Sequence, residues 1–282
     1  MPFGSPSKLW PSVRRNLRYN DGAGRPFGPA LSFIADTFMT EPVTAAMLAI
    51  GDELLSGRTK DRNIGYLADL MTLKGIDLKE VRIVADDTAA IVEAVNALRQ
   101  RHTYVFTSGG IGPTHDDITA DAVAAALGVA IGHDPRAMKL LGDHYASRGL
   151  EFTDARQRMA RIPDGADLID NPVSIAPGFR LGNVHVMAGV PAIFQAMLDS
   201  VGPTLAGGVP LLSRTVECPF GEGDIGGPLT EIQRAQPDTA IGSYPRFDGK
   251  RYSTQIVIRS RDAAACEKAE AAVKDMLTQL RG

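Results

Sequence analysis

The sequence predicts an α/β protein: a three-layer α/β/α core on a mostly parallel sheet, followed by a small α+β domain. Three observations predict it. Short apolar runs alternate with helix-period segments over residues 45–201. The β-branched and aromatic run Val105, Phe106, Thr107 stops at Gly109, Gly110 and Gly112, and past Asp116 and Asp117 a helical pattern begins. A cluster of Pro203, Gly207, Gly208 and Pro210 then breaks the series, and a shorter one follows.

The elements follow in order. Residues 45–50 form an apolar run ending at Gly51, a buried strand. Residues 63–74 carry Ile64, Leu67, Leu70 and Met71 at helical spacing, and Gly75 closes them. Residues 78–84 read as a strand, and 88–101 as a helix with Ile91, Val92, Val95 and Leu98 on one face. The strand 104–107 leads through the glycine turn to a helix ending at Leu127. Helices are expected at 135–148 and 154–160, a strand at 183–187, and a helix at 191–201 with proline in its first turn. After the break come strands at 214–218, 239–243 and 252–259 and helices at 229–235 and 263–280. Alternation at Ser253, Gln255, Val257 and Arg259 gives the last strand one solvent-facing side. The expected domains are a mobile tail over 1–42, the larger α/β domain over 43–205 and the small domain over 206–282.

Composition narrows the function. The chain has 282 residues, 44% hydrophobic and 22% charged, enough for one sizeable core plus a small domain. A net charge of −3 leaves no electrostatic footprint for nucleic acid, and no apolar run is long enough to span a bilayer. Cys218 and Cys266 share no metal or redox spacing, and two reduced cysteines in a cytoplasmic protein are expected. The prolines and arginines before residue 40 read as a mobile tail, or as sequence upstream of a start near Met39.

In a sheet of this kind, ligands sit beyond the carboxyl ends of the strands. The turns after Ile50, Val84, Thr107 and Met187 are therefore expected to converge. The first turn offers Gly51, Asp52, Glu53, Ser56, Gly57, Arg58 and Thr59 and leads to Asn63. Arg58 and Thr59 suit phosphate or ribose, and Asp52 or Glu53 a metal or a hydroxyl. The second offers Asp86, Asp87 and Thr88, which are also ordinary helix-capping residues. The third offers Ser108, Gly109, Gly110, Gly112, Thr114, His115, Asp116, Asp117 and Thr119. Glycines let backbone amides approach a ligand, a helix N-terminus favours phosphate, and acids beside such amides make sense around a divalent metal. The spacing is neither a Walker loop nor a dinucleotide fingerprint. The histidines share no ligand spacing, which argues against zinc. Two later segments fit the same edge: the proline-rich stretch Asn171 to Phe179, with Pro177 and Gly178, and the turn Ala188, Gly189, Val190, Pro191.

With these segments in order, the chain resembles the molybdopterin-binding-like family, and within it the N-terminal region of the competence/damage-inducible protein A family. The matching blocks begin at Gly51-Asp52-Glu53, Ser108-Gly109-Gly110, Asp116-Asp117-Ile118-Thr119, Asn171-Pro172-Val173, Ala176-Pro177-Gly178-Phe179 and Gly189-Val190-Pro191. Ile241-Gly242-Ser243-Tyr244-Pro245 looks like the same family's small middle domain, and the glycine-aspartate block is similar to that of eukaryotic FAD synthases. The resemblance implies metal-dependent hydrolysis of a nucleotide diphosphate such as ADP-ribose or FAD. It also implies a divalent ion (Mg, Co or Mn), with K in some members, and homo-oligomers, dimers or trimers. By motif position Asp86 and Asp117 would bind the metal and act catalytically, with Asp116 assisting. The remaining residues of these turns, from Gly51 to Pro191, would contact substrate. Molybdopterin adenylyltransferases of the same fold imply an alternative, binding of a pterin phosphate, and a non-catalytic nucleotide-binding module is a third reading. The chain departs from the family pattern at Ile193, where an acid is usual. It ends at Gly282 without the family's amide-hydrolysing domain, so deamidation of nicotinamide mononucleotide is not expected.

Overall fold

The computed structural model describes residues 42–247, 249 and 252–281. The tail expected before residue 42 lies outside them. The first strand, β1 (Thr44–Ile50), is buried on both faces because its neighbours flank it and helices cover it. The chain leaves it through α1 (Asp52–Leu55) and enters α2 (Asn63–Leu73), which ends where Gly75 takes a left-handed φ of 67°. Then come β2 (Asp77–Val84), α3 (Thr88–Arg101), capped by the Asp87 side chain, and β3 (Tyr104–Ser108). Past the glycine turn lie α4 (Thr119–Leu127), β4 (Ile131–His133) and α5 (Pro135–Ser147).

The expected helix over 154–160 is in two pieces, α6 (Asp154–Gln157) and a 3-10 turn (Arg158–Ala160). Then follow β5 (Arg161–Pro163), β6 (Asp167–Ile169), β7 (Gly178–Leu181), β8 (Val184–Met187) and α7 (Pro191–Val201). The large sheet has the order β2-β1-β3-β8-β7-β6. β2, β1, β3 and β8 are mutually parallel, while β7 and β6 join antiparallel at the far edge. The loop expected over 171–179 therefore gives up Gly178 and Phe179 to a strand. A two-residue Gly182-Asn183 hairpin, with Gly182 at φ 59°, returns β7 directly onto β8.

Side chains alternate across β1 and build a core on each face. Ala46, Leu48 and Ile50 pack with Ile91, Val95 and Leu98 of α3, Val123 of α4 and Leu141 of α5. Ala45 and Met47 pack with Leu67 and Met71 of α2 and Phe194 and Met197 of α7. Helices thus cover both faces of a mixed, mostly parallel sheet.

The C-terminal part has its own antiparallel sheet. It comprises β9 (Leu212–Cys218), α8 (Glu222–Ala235), β10 (Ala240–Phe247), β11 (Tyr252–Ser260) and α9 (Ala263–Arg281), with strand order β10-β11-β9. Helix α8 begins seven residues before the expected 229, through three glycines and Pro228. Thr254, Ile256, Ile258 and Ser260 of β11 are buried and Arg259 is exposed, as the alternation requires. Cys218 and Cys266 are buried free thiols in this core. No described helix is long and apolar enough to cross a membrane.

Candidate functional site

The four strand-end turns do converge. An open cleft of about 550 Å³ is lined from the turn after β1 by Ile50, Gly51, Glu53 and Thr59, and from the turn after β2 by Asp86. Gly109 to Pro113, Asp116 and Asp117 line it after β3, and Ala188 to Pro191 with Ile193 after β8. Asn171, Ser174 and Ala176 come from the loop before β7, and Met159 from the 3-10 turn.

Of the substrate contacts expected from sequence, Gly51, Glu53, Thr59, Gly109, Gly110, Gly112, Gly189 and Pro191 line this cleft, as do Asp86, Asp116 and Asp117. Most of the others sit behind it and hold it together. Asn63 is buried, and its Nδ2 donates to Ser108 Oγ at 2.7 Å and to the Gly189 carbonyl at 2.8 Å, tying three turns to one another. Thr119 is fully buried; its N–H donates to the Gly110 carbonyl and fastens α4 to the glycine turn. Thr114 donates through its N–H and its hydroxyl to Asp117 Oδ2 at 2.8 and 2.6 Å, closing the turn that displays the aspartates. Asp52 donates its N–H to Asp86 Oδ2 at 3.0 Å. Ser56 and Gly57 are exposed on the first loop. Pro177 lines a tight crevice behind the glycine turn, and Gly178 packs inside the sheet.

The glycines have a packing reason. A Cβ on Gly109 (φ 110°) would lie 2.3 Å from the Ile50 carbonyl oxygen, and one on Gly110 (φ 68°) would lie 2.1 Å from Thr119 Oγ1. They let β3 leave the sheet hard against β1 and α4. One expectation is corrected here: the Gly109 amide donates to the Met187 carbonyl at 3.1 Å and is not free for a ligand. The amides of Gly110, Ile111 and Gly112 have no acceptor among the described residues. Helix α7 also begins on the cleft, its cap Val190 supplying no side-chain bond. Pro191 has no N–H, and those of Ile193 and Phe194 donate to the Val190 carbonyl, so the Ala192 N–H and the helix dipole make the second anion-favouring element.

Against these stand the acids. Glu53, Asp86, Asp116 and Asp117 line the cleft, and among the described residues no Lys, Arg or His does. Burial raises the Asp86 carboxyl above its ordinary value; the Asp52 N–H opposes this, and the charges of Asp52, Glu53 and Asp116 add to it. Asp86 therefore feels Asp116 across the cleft, whereas Asp117 spends Oδ2 on its own turn and keeps Oδ1 without a partner among the described residues. Among the described residues, no group of three or more His, Cys, Asp or Glu is placed to hold a metal unaided. The donor set still suits a hard divalent ion, since Mg²⁺ is commonly held by one or two carboxylates together with substrate phosphates and water.

The sequence reading missed Met159 and Arg158. Arg158 reaches the Asp117 carbonyl from behind at 3.4 Å. Both come from the excursion between α5 and β5, and no local motif marks it. It also missed Ile175, whose φ of 70° is rare for a β-branched residue and turns the Asn171 loop toward the cleft. Asn171 holds that loop through Ser174 Oγ, the Ala176 carbonyl and the N–H groups of Val173 and Ser174.

Comparison with known proteins agrees with this architecture. Residues 46–207 match the family described as probable molybdopterin binding domain, and residues 210–281 match the FAD synthase middle domain. A protein of Aeropyrum pernix is 33% identical over 258 residues, covering 84% of this chain and 96% of that one. A CinA-like protein of Anaeromyxobacter sp. is 36% identical over 163 residues, 56% of this chain but only 40% of that longer protein. Among solved structures, the CinA protein of Thermoplasma acidophilum, titled as of unknown function, is 30% identical with a TM-score of 0.53. That match covers 57% of this chain and 96% of that one. On the matched motifs, the sheet and these relatives, the chain belongs to the molybdopterin-binding domain family, in its CinA-like form.

Proposed function

We propose that the cleft hydrolyses a nucleotide diphosphate of the ADP-ribose or FAD type with the help of a divalent metal ion. One observation carries the reading: among the described residues, four carboxylates and no basic side chain line a cleft whose floor offers unpaired amides and a helix N-terminus. A polyanion entering such a cleft needs a cation to offset the acids. Asp86, Asp116 and the open oxygen of Asp117 are the groups that would hold it. Bound there, a divalent ion supplies charge neutralisation at phosphoryl oxygens and acidifies water.

The chain's own residues supply the rest. The amides of Gly110, Ile111 and Gly112 and the start of α7 hold the diphosphate by hydrogen bonds. The wall of Ile50, Ile111, Met159, Val190 and Ile193 covers an apolar face of the nucleotide and excludes water. Asp86 and Asp117 would orient the attacking water, whose proton passes to solvent at the open cleft. The water oxygen bonds to phosphorus, the bridging P–O bond breaks, and two phosphomonoesters leave.

The test is phosphomonoester release from ADP-ribose, FAD and NAD with Mg²⁺, Mn²⁺ or Co²⁺, with and without K⁺. Metal-dependent cleavage of one substrate, lost in Asp86→Asn and Asp117→Asn, is expected. Full activity in both variants would defeat the assignment. A second reading has one observation in its favour. Ile193 lines the cleft where the family pattern has an acid, which suits binding of a nucleotide or pterin phosphate without turnover. That reading predicts ligand-induced thermal stabilisation and no product.

A further inference from the structure

A second groove, of about 370 Å³, opens over the antiparallel strands of the large sheet and shares no lining residue with the cleft. Its floor follows from the strand register. Asp167 stands opposite Arg180, and Arg180 opposite His185, so the three side chains form one row across β6, β7 and β8. Ser200 and Val201, at the end of α7, and Thr204 just past it make the facing wall, and Ile169 and Asp170 complete the lining. His185 is the unusual member. It is only 2% exposed, yet it lines the groove, and its Nδ1 has no hydrogen-bond partner among the described residues. Phe106 stacks on the ring at 5.0 Å and Tyr104 meets its edge at 5.9 Å, so aromatic groups close its inner side. A buried polar ring short of a partner is costly, and a ligand in the groove can supply one.

The polar lining says which ligand, because it is short of free donors. Ser200 Oγ already donates to the Ala196 carbonyl at 3.1 Å and Thr204 Oγ1 to the Val201 carbonyl at 2.7 Å, so each offers a ligand only lone pairs. Burial keeps the His185 imidazole neutral at pH 7, which leaves one ring nitrogen an acceptor. Arg180 donates to Asp167 Oδ2 at 2.6 Å, and that pair is neutral as a unit. Asp170 is exposed and has no ion pair among the described residues. The C-terminal dipole of α7 adds partial negative charge on the same wall. One negative charge is left over, beside the apolar side chains of Ile169 and Val201. Such a lining disfavours a phosphate and suits a donor-rich monocation on a short apolar stem.

We propose that this groove binds a small organic cation, an ammonium or guanidinium head on a short alkyl stem, with the head donating to Asp170, Thr204 and the His185 imidazole. The test titrates n-butylammonium and n-butylguanidinium into the full chain, with n-butanol as the uncharged control, and follows the His185 ring signals by nuclear magnetic resonance. A saturable shift with at least one cation is expected, and none with butanol; the two heads tell an ammonium site from a guanidinium site. Asp170→Asn should weaken binding about tenfold, the worth of one charge-assisted hydrogen bond. Thr204→Arg, at an exposed position, sets a fixed cation in the groove and should abolish binding. Asp86→Asn, in the acidic cleft, should leave it unchanged. No shift with either cation overturns the proposal, as does an equal shift with butanol or an affinity unaltered by both Asp170→Asn and Thr204→Arg. A shift lost in Asp86→Asn assigns the cation to the cleft and overturns it too.

Discussion

Asp86 is a half-buried acid set among other acids, and its protonation is favoured in the fold. Its contribution to stability is therefore present at low pH and is lost as pH rises through its raised folded value. Asp86→Asn keeps an oxygen for the Asp52 N–H and removes the charge. It should stabilise the protein at pH 7 and leave it unchanged at pH 3, while abolishing turnover. Paired urea titrations at the two pH values check this. His185 has the opposite sign. Burial, with Arg180 adding, lowers its pKa to about 4 while its ring stacks on Phe106 at 5.0 Å between centroids. Stability should fall as pH drops from about 6.5 toward 4, by roughly 3 kcal/mol at most, because the unfolded chain takes up a proton that the fold refuses. His185→Phe should flatten that slope in denaturation curves. The acids of the cleft were legible in the sequence because they sit in the turns at strand ends. His185 was not, because an isolated histidine in an apolar strand carries no sign of what will bury it.

The turns depend on what each glycine touches. Gly110→Ala puts a methyl group 2.1 Å from Thr119 Oγ1 at a left-handed φ, which should cost about 3 kcal/mol or more and displace the start of α4. Asn63→Ala removes both bonds that tie the turns after β1, β3 and β8. About 2–3 kcal/mol of lost stability is expected, with slower turnover as the turns lose register. Thermal melts and steady-state kinetics of the two variants measure both effects. Strands and helices in the parallel half were legible because each has a single hydrophobic period and clear stops at Gly75 and the Asp87 cap. The antiparallel edge was not. β6 and β7 are three and four residues long, too short for a period, and the Gly182-Asn183 hairpin was the one available signal. The start of α8 was hidden by its glycines and Pro228, which the packing of Ile225 against the small sheet outweighs.

Across the whole molecule, Arg261 ties the small sheet and the linker to the core, beside the Gly208 N–H on the Lys74 carbonyl and the Tyr104 hydroxyl at Ala206. Arg261 donates to Asp77 at 2.6 Å, to the Gly75 carbonyl at 3.2 Å and to the Val209 carbonyl, so it joins β11's exit, the linker and the start of β2. Arg261→Ala should loosen this junction without unfolding either core. Faster amide hydrogen exchange over residues 205–212 is expected, with a calorimetric transition that broadens or splits. Among the described residues the small sheet lends the cleft no lining residue, so activity should survive that substitution.

The central claim is that the acidic cleft receives a nucleotide diphosphate only together with a divalent ion. Calorimetric titration of ADP-ribose into the protein, with Mn²⁺ and then with EDTA, tests it most directly. The account predicts saturable heat with Mn²⁺, none with EDTA, and none for Asp86→Asn in either buffer. Binding of equal strength in EDTA would contradict it, because the four carboxylates would then hold a polyanion with no cation between them.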